Sequence, residues 1–112
     1  MEISTELRGE VLIARAEDRI DGANAREFQD ALQAAVDEHD CTMILDMEDL
    51  TYISSAGLRV ILLTARVLQR NNNGLALCSL SGPVREIFEI SGFDKIIQIH
   101  DSQADAIASV GG

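Results

Sequence analysis

Short apolar runs alternate with stretches of helical periodicity along this chain, and that alternation limits the folds open to it. Ile3–Leu7 and Val11–Ala16 are β-branched and apolar, with Arg8-Gly9-Glu10 between them as a hairpin turn. Thr42-Met43-Ile44-Leu45 reads as a buried strand ending at Asp46, Leu75–Leu80 as the next and Ile96–Ile99 as the last. Between them, Phe28, Leu32, Ala35 and Val36 recur at helical spacing over Ala25–Glu38, after the turn Asp21-Gly22 and a candidate cap at Asn24. Met47–Ile53 reads as a loop, and Ser55–Arg70 as a second helix stopped by Asn71-Asn72-Asn73-Gly74. Ser81-Gly82-Pro83 opens a third helix, with Val84, Ile87 and Phe88 on one face and a stop at Ser91-Gly92. Ser102 caps a last, short helix carrying Ala104, Ile107, Ala108 and Val110. The order β-β-α-β-α-β-α-β-α predicts an α/β fold, a mixed sheet that starts with a hairpin and has helices packed on it. No linker or repeat interrupts the order, so a single domain over residues 1–112 is expected.

Charge narrows the function. Nine Lys+Arg stand against nineteen Asp+Glu, a formal net charge of −10. Phosphate backbones and anionic lipid surfaces call for clustered basic residues, so neither nucleic acid nor membrane is an expected partner. No window reaches the roughly 18 apolar residues of a membrane span. Met1-Glu2-Ile3-Ser4 lacks a secretory pattern. Cys41 and Cys78 are too few for a disulfide framework, which suits a reducing cytoplasm.

Three chemistries fail on spacing. His39, Cys41, Cys78 and His100 form no zinc-ligand pattern. Neither glycine-rich phosphate motif occurs, so no nucleotide cofactor is expected. The G-x-S-x-G elbow around Ser55 has Ile53 in place of its first glycine, which argues against a serine hydrolase.

What remains is the stretch from Asp46 to Leu58. A buried strand leads through Met47–Ile53 to Ser54-Ser55-Ala56-Gly57 and a long helix. Sites in open α/β sheets favour the carboxyl ends of strands. A hydroxyl at a helix start sits among unpaired N–H groups at the positive dipole end. The plain alternative is that Ser54 or Ser55 is only an N-cap. The helix that follows has a core stripe of Leu58, Ile61, Leu62, Ala65 and Leu68 and a second apolar stripe of Val60, Leu63 and Val67. Either it is buried on two sides or one stripe meets a partner, a homodimer included. Arg59, Arg66 and Arg70 cluster on what is left.

Met43-Ile44-Leu45-Asp46, Tyr52-Ile53-Ser54-Ser55-Ala56-Gly57-Leu58, Val60-Ile61-Leu62, Gly74-Leu75-Ala76-Leu77-Cys78 and Val84–Phe93 together resemble a STAS domain. That fold is shared by bacterial anti-sigma factor antagonists and the cytoplasmic tails of sulphate transporters, and the length without a transporter resembles the antagonist branch. The family pattern is often Asp-Ser-[Ser/Thr]-Gly-Leu, with phosphorylation on the serine two residues before the glycine. Here that serine is Ser55; Ser54 holds the aspartate position and is the fallback phospho-acceptor, and Ala56 replaces the second hydroxyl.

The resemblance implies a non-enzymatic partner switch. The unphosphorylated domain binds an anti-sigma factor that is itself a serine kinase, phosphorylation of Ser55 releases it, and a PPM-type serine phosphatase restores binding. Asp21, Asn24, Ser54, Ser55, Ala56, Gly57, Leu58 and Arg59 are then the expected partner-binding residues, with Asp46, Glu48 and Asp49 near the serines. For Asp21 and Asn24 a simple turn and helix cap is an equal reading. The other readings are a docking subunit of a lipid-importing ABC transporter or larger signalling assembly, and a small-ligand or nucleotide-binding module.

Overall fold

The structure, a computed structural model, describes residues 3–110. The ends of the expected 1–112 domain, with the Met1-Glu2 start, lie outside the described residues. The elements are β1 Ser4–Arg8, β2 Val11–Ile20, α1 Ala25–Glu38, β3 Thr42–Ile53, α2 Ser55–Arg70, β4 Leu75–Cys78, α3 Gly82–Ser91, a 3-10 turn Phe93–Lys95, β5 Gln98–His100 and α4 Gln103–Val110. The five strands form one sheet in the order β1-β2-β3-β4-β5. β1 is antiparallel to β2, and the remaining pairs are parallel. The fold class is the expected one, a mixed sheet beginning with a hairpin.

Alternation along the strands divides the core. Leu12, Ala14, Met43, Leu45 and Leu77 point to one face and join Phe28, Leu32, Leu58, Ile61, Leu68, Val84 and Phe88 from α1, α2 and α3. Val11, Ile13, Ile44, Ala76 and Cys78 point to the other, where Ala106, Ile107 and Val110 of α4 cover them. Three crossover helices on one face follow from a sheet that grows strand by strand in one direction with right-handed connections.

Two strands run beyond the ends that their patterns suggest. The pattern ends β2 at Ala16 and β3 at Asp46, leaving Met47–Ile53 as loop. Instead β2 reaches Ile20 and β3 reaches Ile53, paired from Glu17↔Asp49 to Ile20↔Ile53. The pairing slips between Arg15 and Glu17 and again between Asp18 and Arg19, and Asp18 takes φ +64°. The inward residues of β3 therefore change spacing from Met43, Leu45, Met47 to Leu50, Ile53. Bulges of this kind break the period-two signal that marks a strand. Elsewhere the shifts are small. β4 stops at Cys78, where Ser79 has φ +62°. β5 starts two residues late because Phe93–Lys95 turns first. Gly92 ends α3 in the left-handed conformation that glycine tolerates.

The two thiols differ in exposure. Cys78 is buried and its pKa is pushed up to about 11, chiefly by burial; Cys41 is half-buried and raised less. An alkylating reagent at pH 8 is expected to modify Cys41 first and Cys78 only on unfolding, read by peptide mass spectrometry. From the thiol's ordinary 9.0 up to about 11, the native state keeps a proton that the unfolded chain loses. Stability contributed by Cys78 is therefore present below about pH 9 and falls as pH rises through that window. Equal labelling of both cysteines in native protein would contradict this placement.

Candidate functional site

The long ends of β2 and β3 carry the site. Ile20 pairs with Ile53, and the Ser54 N–H donates to the Ile20 carbonyl at 2.8 Å. The chain leaving β2 into the Asp21 turn therefore lies beside the chain leaving β3 into α2. Both isoleucines are fully buried, and α2 rests on them through Gly57. A Cβ at Gly57 would stand 2.7 Å from Ile20 Cγ2 and 2.7 Å from Ile53 Cγ1. Both atoms belong to stiff, β-branched side chains. Gly57→Ala is therefore expected to cost about 1–3 kcal/mol of stability as an overpacking change, seen as a lower urea midpoint. An unchanged midpoint would mean that α2 is seated more loosely.

The two serines have different surroundings. Ser54 is the N-cap of α2, in extended conformation, and its side chain accepts from the Gly57 N–H at 3.3 Å. Ser55 is the first helical residue, is exposed, and its hydroxyl has no hydrogen-bond partner among the described residues. The Leu58 N–H donates to the Ser54 carbonyl, which leaves the N–H groups of Ser55 and Ala56 open at the helix start. Arg59 lies one turn on from Ser55 and is exposed, as are Arg66 and Arg70; none of the three forms an ion pair among the described residues. Ala56 is half-buried, whereas Gly57 and Leu58 are buried and support this surface from beneath.

The Asp21 turn is built tightly. Asp21 Oδ1 accepts from the Ala23 and Asn24 N–H groups at 2.9 and 3.3 Å, and Arg19 Nε donates to Oδ2 at 3.1 Å. The Ala23 N–H, aided by Arg19 and Asn24, holds the carboxyl below its ordinary pKa against a smaller opposing effect of burial. Asn24 precedes α1, but its side chain does not cap that helix. Its Oδ1 accepts from the Asp21 N–H at 2.8 Å and its Nδ2 donates to the Arg19 carbonyl at 2.8 Å. Asn24 thus closes the turn on itself, because both ends of its amide find backbone partners there.

Arg19 also lies over the Tyr52 ring, 5.1 Å from the centroid, and Tyr52 is 41% exposed. Neither residue stands out in the sequence as part of a surface. Tyr52 falls in an expected loop, and Arg19 lies beyond the expected end of β2.

The carboxylates expected near the serines are elsewhere. With β3 extended, Asp49 lies roughly 15 Å and Asp46 more than 20 Å back along the strand from Ser54, at about 3.3 Å per residue. Asp46 is 3% exposed on the α4 side of the sheet, where its oxygens accept from Gln103 Nε2 at 2.8 Å and the Glu48 N–H at 3.0 Å. A cleft of about 610 Å³ there is lined by Arg15, Asp46, Glu48, Asp101 and Gln103 among others. Three carboxylates against one guanidinium make it unattractive to a phosphate group.

α2 is buried on two sides, by the sheet and by α1. Val60 is buried and Val67 packs on the core; Thr64, outside both expected stripes, is buried with its hydroxyl donating to the Val60 carbonyl at 2.9 Å. Leu62 and Leu63 are half-buried and flank the arginines. The outer face of α2 is therefore Ser55, Arg59, Leu62, Leu63, Arg66 and Arg70. Among the described residues no cluster of three or more His, Cys, Asp or Glu is placed to hold a metal, and no helix is long and apolar enough to cross a membrane.

A five-stranded mixed sheet with an exposed serine at the start of the helix after β3 is the arrangement the sequence resemblance implies. Residues 2–106 match the STAS domain model, and the chain belongs to that family. It is similar to BtrV of Bordetella bronchiseptica, described as a candidate anti-sigma factor antagonist. The two are 43% identical over 99 residues, covering 88% of this chain and 85% of that one. It is also similar to the anti-sigma F factor antagonist of Paenibacillus polymyxa, 25% identical over 98% of this chain and 95% of that one. In fold it matches the anti-sigma factor antagonist SpoIIAA in its unphosphorylated form. The TM-score is 0.80 at 21% identity, covering 98% of this chain and 96% of that one; the phosphorylated form of the Bacillus protein gives 0.70.

Proposed function

We propose that this protein is a cytoplasmic, non-enzymatic anti-sigma factor antagonist that changes partners through phosphorylation of Ser55. The observation that carries the reading is the contrast at the start of α2. Ser54 uses its hydroxyl to cap the helix, while the neighbouring Ser55 hydroxyl is exposed and without a partner among the described residues. A kinase needs a hydroxyl it can reach, and that favours Ser55 over Ser54. The names of the relatives, BtrV above all, support the same reading.

Unphosphorylated, the outer face of α2 and the Asp21 turn would dock on an anti-sigma factor with serine kinase activity. A phosphoserine carries about −1.5 to −2 charges at neutral pH. At the start of a helix the open N–H groups and the dipole accommodate it, by about 0.3–1 kcal/mol. The fold therefore tolerates the phosphate that the interface rejects. A PPM-type serine phosphatase would reset the switch. Incubation with the cognate kinase and ATP, then peptide mass spectrometry, is expected to place one phosphate on Ser55 and none on a Ser55→Ala protein. Efficient phosphorylation of Ser55→Ala would overturn the assignment.

A further inference from the structure

The sheet has two edges, and they are built differently. β5 is blunted by its length of three residues. β1 has five residues, Ser4-Thr5-Glu6-Leu7-Arg8, without proline and in unbroken register with β2. Every one of its residues is exposed, and Leu7 keeps 53% of its surface open. Among the described residues no strand pairs with its outer side, and an edge neither very short nor broken by proline or a bulge can template another strand.

The hairpin fixes which backbone groups face outward. Gly9, at φ +64°, and Glu10 form a two-residue loop closed by the pair Arg8↔Val11. The pair closing such a loop exchanges both backbone hydrogen bonds, and bonded and non-bonded pairs then alternate. Arg8, Glu6 and Ser4 are thus bonded to β2, and the N–H and C=O groups of Leu7 and Thr5 point away from the sheet. A strand added antiparallel at this edge must pair with Leu7 and Thr5.

We infer that a second copy of this chain is that strand, joined about a two-fold axis through Leu7. In this register Leu7 faces Leu7 of the second copy and exchanges two backbone hydrogen bonds with it. Thr5 faces Gly9, and Glu6 faces Arg8 on both sides of the axis. Glu6 and Arg8 already lie 3.6 Å apart within one chain, each about half exposed. Pairing makes a square of four alternating charges, so each carboxylate has two guanidinium neighbours. A centre one residue away, on Glu6, would oppose two carboxylates and would need groups already bonded to β2. The square sets attraction where two chains of net charge −10 would otherwise repel. Two leucines then cover each other at the middle of a continuous ten-stranded sheet.

The pairing leaves the switch surface open. Leu7 pairs with Leu12 near the start of β2, whereas Ser55 follows the strand end at Ile20↔Ile53. Eight residues of strand separate these levels, roughly 25 Å at 3.3 Å each. A dimer joined through β1 presents two accessible Ser55 hydroxyls.

Sedimentation velocity over a concentration series, in physiological salt, tests this on the full chain. A five-residue edge gives a weak, reversible dimer that appears as the concentration rises. Glu6→Arg alone and Arg8→Glu alone each set like charges opposite one another twice, and each is expected to weaken dimerisation roughly tenfold or more. The double variant, Glu6→Arg with Arg8→Glu, restores the pairing with signs reversed and is expected to return to near the wild-type value. Leu7→Lys abolishes the dimer. Exposed positions on an edge make all four variants compatible with the fold, and circular dichroism checks that. A wild-type chain that stays monomeric at millimolar concentration overturns the inference. So does a dimer indifferent to the charge exchange, which would place the contact elsewhere. A monomer that loses a foreign protein on Leu7→Lys would also overturn it, assigning the edge to a foreign strand.

Discussion

Ser55→Asp is expected to weaken binding of the anti-sigma factor by on the order of a hundred- to several-thousand-fold, while Ser55→Ala binds like the wild type. The size follows from what an interface does to a charge. A carboxylate or phosphate trapped against a partner without compensation costs about 3–5 kcal/mol, and each 1.4 kcal/mol is one power of ten in affinity. The same charge is harmless to the free domain. Ser55 is exposed at the start of α2, and an acidic side chain there meets open N–H groups and a favourable dipole. The urea midpoint of Ser55→Asp should thus equal or slightly exceed that of the wild type.

Ser54→Ala gives the opposite combination. It removes the acceptor that caps the Gly57 N–H and should cost about 0.5–2 kcal/mol of stability, with the affinity of the folded protein kept. Isothermal titration of the three variants against the anti-sigma factor, with urea denaturation alongside, separates the roles. Wild-type affinity in Ser55→Asp would sink the switch. A loss confined to Ser54→Ala would move it one residue.

Clean helical periodicity in the sequence marks α1 and α2. α1 and α2 carry apolar residues at helical spacing, and both begin and end at the expected residues. Their boundaries are chemically marked, by the Asp21-Gly22 turn, by Ser54 and by the Asn71–Gly74 stop. The outer halves of β2 and β3 were not legible, because two register slips change the inward spacing from two residues to three. A spacing of three looks like loop or helix, and no rule read from one chain alone places two successive bulges in one strand. The consequences reach the site. With those strands ended early, Asp46, Glu48 and Asp49 crowd the serines and Arg19 has no neighbour. With them extended, the carboxylates recede and Arg19, Tyr52 and Asp21 come together beside Ser54. Burial was legible by residue type for most of the core, but not at Asp46, whose carboxylate is satisfied by Gln103 and the Glu48 N–H, at Thr64, whose hydroxyl is satisfied within its own helix, or at Ile90 and Ile96, which stay exposed.

Phe28→Ala is expected to remove about 3–5 kcal/mol of stability, a large share of the 5–15 kcal/mol typical of a domain. Only four residues of this chain are aromatic, and Phe28 is one of two fully buried phenylalanines. It points from the first turn of α1 into the cluster that holds Leu58 and Ile61 of α2, so aliphatic neighbours cannot fill its volume without moving a helix. α1 is also one of the two surfaces that bury α2, and its loss of grip should reach the site through the folded fraction alone. Urea denaturation should show a much lower midpoint with an unchanged slope. Binding to the anti-sigma factor, measured at low temperature where the variant is still folded, should remain close to wild type, since Ser55 and the arginines lie on the opposite face of α2. Phe28→Ala and Ser55→Asp are therefore expected to act on separate quantities, one on stability and the other on affinity. An affinity loss in folded Phe28→Ala comparable to that of Ser55→Asp would show that the start of α2 is set by α1 rather than by Ile20, Ile53 and Gly57. A stability loss below about 1 kcal/mol, a small fraction of the usual large-to-small cost, would show that α1 is not seated on the sheet through Phe28.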